Sequence, residues 1–313
     1  EGSRFSWKSR EASLVVNNVL LTALLGIVLL GTLYPLLTES MGTRVSVGPP
    51  YFNPVGAIFT IPMLVVMAVG PLLRWRQDRI DRIGKEIALF AALVLAALIL
   101  TSLLADIALL PLLGLALGVG LAVASLMPLR GRKLARTPLA TWGMVTAHFG
   151  IAVALIGMAS ESAFTSERLA AVEEGGSTSV GPWTVVLQGV EPVAGPNWTA
   201  IQGRVSASYD GGEPVVLTPQ SRNFWAPPQQ TTESALVTRW NGQLYAVVGD
   251  RSPDGRWQLR LWWKPFVPLI WYGGLLVALG GVLALIGRVI TDIRNRRLAV
   301  RIAERRADRE ALA

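Results

Sequence analysis

The residue best equipped for chemistry in this sequence is its single histidine, His148. It lies within Leu139-Ala-Thr-Trp-Gly-Met-Val-Thr-Ala-His148-Phe-Gly-Ile-Ala-Val-Ala-Leu-Ile-Gly-Met-Ala159, an apolar run long enough to cross a bilayer. An imidazole can carry a proton, hydrogen-bond or ligate a metal. Ionisable groups are costly in hydrocarbon, so one placed there calls for a functional reading. With no titratable neighbour on its own helix, His148 reads either as an axial ligand to a buried cofactor or as a packing residue bonded to a neighbouring helix. Met144 and Ala152 sit one turn to either side on the same face, with Gly143, Ala147 and Gly150 close by. Residues that small admit a porphyrin plane or, equally, another helix. With one histidine and no cysteine, the chain cannot supply both ligands of a bis-imidazole iron, nor any thiolate site.

The elements that must position His148 follow from composition. Apolar residues make up 51% of the chain and charged residues only 16%, a balance that excludes an ordinary soluble protein. Six segments reach membrane-spanning length: 14–37, 54–73, 87–104, 107–127, 139–159 and 265–286. The third and fourth must separate at Ala105-Asp106, because one continuous helix would overshoot a bilayer. Lysine and arginine then orient them. Arg4, Lys8 and Arg10 precede the first segment; Arg74, Arg76, Arg79, Arg82 and Lys85 follow the second; Arg130, Arg132, Lys133 and Arg136 follow the fourth; and eight basic residues lie beyond the sixth. The positive-inside rule places both termini in the cytoplasm. The net charge of +8 therefore points to anionic lipid and orientation, with no nucleic-acid partner implied.

Between the fifth and sixth segments lies a region of about a hundred residues with three more acidic than basic side chains, placed outside the cytoplasm by the same rule. Short alternating runs at 183–188, 200–208, 214–217, 234–238, 243–248 and 256–262 are separated by turns such as Asp210-Gly211-Gly212, Asn241-Gly242 and Pro253-Asp254-Gly255. They predict a small antiparallel barrel or sandwich without a hydrolase triad. The loop Ser46-Val-Gly-Pro-Pro-Tyr-Phe-Asn53 is expected to be a rigid turn. The fold class is thus a polytopic α-helical membrane protein with one inserted extracytoplasmic all-β domain. Its expected divisions are a five-helix region (1–159), a β-domain (160–263), a sixth span (264–287) and a basic tail (288–313). The first residue is Glu1, and no leader-like segment follows it, so the sequence reads as the later part of a longer polypeptide.

Several stretches, taken in order, resemble a known family. They are Ser9-Arg-Glu-Ala-Ser-Leu-Val-Val-Asn-Asn18, Leu30-Gly-Thr-Leu-Tyr-Pro35, Val47-Gly-Pro-Pro-Tyr-Phe-Asn53, Gly70-Pro-Leu-Leu-Arg-Trp75, Ala147-His-Phe-Gly150, Gly195-Pro-Asn-Trp-Thr199, Thr232-Glu-Ser-Ala235, Leu244-Tyr-Ala-Val-Val-Gly249 and Trp257-Gln-Leu-Arg-Leu-Trp-Trp-Lys-Pro265. Together the chain resembles the C-terminal half of the CcmF/NrfE family, the haem lyase subunits of bacterial System I cytochrome c maturation.

That resemblance implies a multi-pass inner-membrane protein with a periplasmic β-domain. It implies receipt of haem from the chaperone CcmE and attachment of that haem to Cys-x-x-Cys-His motifs of apocytochrome c, a cytochrome c synthase activity of the complete protein. It also implies a resident haem b in the membrane, held by two helix histidines, and His148 falls where one of those iron ligands belongs. The partners implied are the N-terminal half of the same protein, CcmE, apocytochrome c and other maturation subunits of the CcmH type. The tryptophan-rich segment and histidines expected to hold the transferred haem are not in this sequence, nor is the partner of His148, so this portion alone is not expected to be an active lyase. Catalytic residues are therefore left unassigned. Rival readings are a transporter in which His148 relays protons, a structural anchor for an assembly complex and, within the family, a lyase dedicated to nitrite-reductase cytochromes.

Overall fold

The computed structural model describes residues 6–311 and separates them into two compact units. The helical unit is Glu1–Ile156 with Tyr272–Ala313, and the second is Gly157–Trp271. The helices are α1 (Arg10–Ser40), α2 (Pro49–Val69), α3 (Ile80–Leu104), α4 (Leu109–Leu126), α5 (Leu139–Phe164) and α6 (Pro268–Ala311). All six contain a stretch long and apolar enough to cross a membrane. The break between α3 and α4 falls at the expected place, where Ala105 turns to extended backbone (φ −150°, ψ 140°). The sixth helix begins at Pro268 rather than Pro265, which is still strand, and it continues unbroken through the basic tail to Ala311.

The 46–53 segment departs from its expected form. Pro49 and Pro50 open α2, so Tyr51, Phe52 and Asn53 are helical and not a turn. The reason is elementary: proline lacks the N–H that the first helical turn leaves unpaired, and its fixed φ suits that position. The aromatic pair then packs on α1, where a β-carbon on Gly31 would lie 2.6 Å from the Phe52 ring and 2.7 Å from that of Tyr51.

A second junction ties the start of α1 to the segment after α2. Ser9 caps α1 by accepting from the Ala12 amide at 3.2 Å. The Arg10 amide donates to the Arg74 carbonyl at 2.9 Å, and the Asp78 amide to that of Lys8 at 2.7 Å. The Glu11 carboxylate accepts the Arg76 amide at 2.8 Å. Gly70 lies hard against the Ser13 hydroxyl, leaving no room for a side chain. Asp78 is buried at this junction and ion-paired to Arg82. That guanidinium, helped by the Arg74 and Arg79 amides at 2.8 and 2.7 Å, holds the Asp78 carboxyl well below the usual carboxylate range despite burial, which opposes ionisation.

The second unit is a two-sheet β-structure of ten strands. They are β1 (Ser166–Val172), β2 (Ser177–Val180), β3 (Trp183–Ala194), β4 (Trp198–Tyr209), β5 (Val215–Leu217), β6 (Gln220–Trp225), β7 (Pro228–Glu233), β8 (Ala235–Arg239), β9 (Gly242–Arg251) and β10 (Trp257–Pro265). One sheet has the order β1-β10-β9-β8, the other β2-β3-β4-β6-β7, with β5 added beside β4; all pairs are antiparallel. Alternate residues point inward, as the two-residue period of a strand demands. Leu187 pairs with Val205 in one sheet, Leu261 with Ala246 in the other, and all four are fully buried. Trp183, Tyr209 and Trp263 stack within this core, with Trp183 and Tyr209 edge to face at 5.2 Å. Gly181 holds a left-handed φ of +53° directly against Trp263, where a β-carbon would fall 2.6 Å from the indole.

Candidate functional site

Helix α5 forms because residues 139–164 are apolar with no internal proline, and its position is set from two sides. On one side it meets α6 almost backbone to backbone. A β-carbon on Gly143 would lie 2.6 Å from the Gly280 carbonyl oxygen, and one on Gly150 would lie 2.7 Å from that of Gly273. From α6, a β-carbon on Gly280 would sit 2.5 Å from the Ala147 amide nitrogen. Gly143 and Gly150, like Gly273, Gly280 and Gly287, recur every seventh residue, which returns a helix to nearly the same face. On the other side Ala152 is fully buried in a cluster with Leu64, Ala68, Phe90, Leu117, Leu121 and Ala124, and Gly118 of α4 abuts the Ile156 side chain and Ala152 carbonyl. The small residues flanking His148 therefore serve helix packing: of the two uses open to Gly143, Ala147 and Gly150, the structure shows the second.

His148 lies roughly 140° around α5 from Gly143 at about 100° per residue, on the same side as Ala152 and Leu155 of the α4-side cluster. Its ring is half-buried, and Nδ1 lies 2.8 Å from the Met144 carbonyl oxygen. A carbonyl only accepts, so the Nδ1 hydrogen donates and Nε2 retains its lone pair. That tautomer is the one a metal-binding imidazole adopts, its second nitrogen fixed by a hydrogen bond. Among the described residues no group of three or more His, Asp or Glu side chains converges to cage a metal ion. A lone imidazole with its Nε2 lone pair free could serve as one ligand of a haem iron, the other being supplied from elsewhere.

One neighbour escaped the sequence reading. Arg10 donates from Nη2 to the Met144 thioether sulfur at 3.8 Å, one turn from His148, while its guanidinium lies 5.2 Å from the Trp75 ring centre. In the sequence Arg10 counted toward orientation and, like Trp75, as part of a stretch resembling the family, with nothing to link either to His148. No local pattern could have joined Arg10 to a residue 134 positions away.

The relationships of the chain agree with this architecture. Residues 163–265 match the family model described as the CcmF C-terminal beta-sandwich, which fixes the second unit as a sandwich rather than a barrel. Over 282 residues the chain is 36% identical to the cytochrome c-type biogenesis protein CcmF of Escherichia coli K12, covering 88% of this chain and 44% of that protein. The sandwich belongs to that family, and the chain as a whole resembles the C-terminal part of CcmF. It is 37% identical over 310 residues to the cytochrome c-type biogenesis protein CycK of Bradyrhizobium diazoefficiens, covering 92% of this chain and 46% of the relative. The solved structure of a cytochrome c haem lyase CcmF superposes with a TM-score of 0.69 at 25% identity, over 90% of this chain and 46% of the other. The chain thus spans just under half the length of these CcmF relatives; its second unit matches their C-terminal sandwich model, and its helical unit holds six helices long and apolar enough to cross a membrane.

Proposed function

We propose that this chain is the C-terminal half of a cytochrome c haem lyase of the bacterial inner membrane, and that His148 is one axial ligand of a resident haem b whose second ligand lies in the N-terminal half. The observation that carries the reading is the His148 ring itself. A histidine amid apolar residues whose Nδ1–H is committed to the Met144 carbonyl keeps Nε2 for a metal and spends nothing on a neighbouring helix. The complete protein would receive haem from CcmE and join it to the cysteines of apocytochrome c, with CcmH-type subunits as further partners. Both termini face the cytoplasm, and the β-sandwich, spanning about 160–263, faces the periplasm as a docking surface. The first five spans lie within 1–159, the sixth begins at Pro268, and the basic tail 288–313 meets anionic lipid.

The resident haem would supply electron transfer, keeping the iron of the haem being attached reduced. What this chain does is hold and orient. The α5–α6 and α5–α4 contacts fix the helix, and the Met144 carbonyl fixes the ring. The test is the dithionite-reduced visible spectrum of the complete protein beside His148→Ala. Loss of the six-coordinate b-type signal is expected. An unchanged spectrum would reduce His148 to a packing residue and return the anchor reading.

A further inference from the structure

We infer that Arg10 binds a propionate carboxylate of the haem that His148 ligates. The inference rests on the reading of His148 as ligand and adds what orients the ring around that bond. Three observations lead to it. Arg10 takes part in none of the ion pairs among the described residues. The carboxylates nearest in sequence and at its own junction are engaged elsewhere: Glu11 by the Arg76 amide and Asp78 by Arg82. Arg10 is half-buried, and its guanidinium meets the Met144 sulfur and the Trp75 ring, two contacts that leave most of its five N–H donors unused.

A guanidinium without an anion, turned toward apolar groups, lacks the partner its chemistry favours: a carboxylate accepting two parallel N–H bonds. Along α5, Met144 lies one turn, about 6 Å, from His148. A porphyrin bound through Nε2 carries its two carboxylates on one edge, and the inference places that edge toward Arg10 at the N-terminal end of α1. The Trp75 ring, its centre 5.2 Å from the guanidinium, gives the charge an aromatic neighbour. The positive charge would also stabilise the reduced, less positive iron and so raise its midpoint potential.

The test uses the complete protein, with Arg10→Gln and Arg10→Lys beside wild type and His148→Ala. Resonance Raman spectra report the propionate bending band directly, and redox titration reports the midpoint potential. Arg10→Gln should keep a six-coordinate haem while shifting the propionate band and lowering the potential; Arg10→Lys should stay close to wild type in potential. Should Arg10→Gln lose haem outright, restoration by Arg10→Lys supports the assignment, and failure of lysine to restore it at wild-type protein levels counts against it. Rebinding of haem dimethyl ester, which lacks the carboxylate charges, supplies a second readout. The ester should bind wild type more weakly than haem does, and Arg10→Gln should discriminate little between them. A wild-type propionate band and potential in Arg10→Gln, with haem lost in His148→Ala, would overturn this inference alone. A haem unaffected by His148→Ala would overturn both.

Discussion

Gly280 and Gly281 are adjacent on α6, yet the structure gives them opposite consequences on replacement by alanine. A methyl on Gly280 would lie 2.5 Å from the Ala147 amide nitrogen, 2.6 Å from the Gly143 carbonyl oxygen and 2.7 Å from the Ala147 β-carbon. Ordinary contact begins near 3.4 Å, so α5 and α6 must part by the better part of an ångström. Two of the three obstacles are backbone and cannot rotate aside. Overpacking of this kind costs about 1–3 kcal/mol, and parting the helices also loosens their neighbouring contacts at Gly273 and Gly287. Against this, alanine in place of a helical glycine gains about 0.5–1 kcal/mol. Gly280→Ala should therefore lose about 1–2 kcal/mol net. At Gly281 nothing lies within 4 Å, so only the gain remains. The pair should differ by about 2 kcal/mol with opposite signs, read as unfolding in mixed detergent by tryptophan fluorescence. Equal stabilities, or greater damage at Gly281, would refute the seven-residue glycine interface on which the placement of α5 depends.

Two further outcomes follow from the junction and the sandwich. Asp78→Asn should cost about 1–3 kcal/mol, the price of weakening a charged acceptor that serves two amides and a guanidinium. Because the Asp78 carboxyl is depressed in the folded state, its stabilisation is complete above the ordinary carboxylate range and is lost as pH falls through the folded value, so stability measured against pH should decline less toward acid in Asp78→Asn than in wild type. In the sandwich, Leu187→Ala removes a fully buried side chain and should destabilise the β-unit by about 2–5 kcal/mol, seen as earlier protease cleavage on heating.

The membrane helices were legible because their signal is composition sustained over about 20 residues, and even the α3–α4 break followed from length alone. The missing strands show where that legibility ends. β1, Ser166–Val172, opens with charge and contains two alanines, so it lacks the β-branched alternation that marked β3 and β9. The β6–β7 hairpin, Gln220–Glu233, is polar and largely exposed on both faces; its strands exist by pairing, which a single segment does not reveal. Some of the family motifs, read separately, concealed that they are contact pairs: Gly31 against Tyr51 and Phe52, and Gly70 against Ser13. Of the site, the sequence offered His148 and the flanking Met144. Arg10 entered only when folding brought the start of α1 to α5.

The support given to His148 also explains why so little of it is written in side chains. A ring nitrogen held by a carboxylate would have announced itself as a second ionisable residue in the same apolar stretch, at a further cost in hydrocarbon. Here the acceptor is the carbonyl one turn earlier, which every helix supplies at position i−4 whatever residue stands there. The backbone thus selects the tautomer without adding a charge, and the identity of residue 144 is free to meet another need, the sulfur that Arg10 reaches. Precision must then come from the helix as a whole, because a carbonyl is only as fixed as its backbone. That is what the glycines of α5 and α6 provide: contact between main chains, where no rotamer can relax, one face away from the only imidazole in the chain.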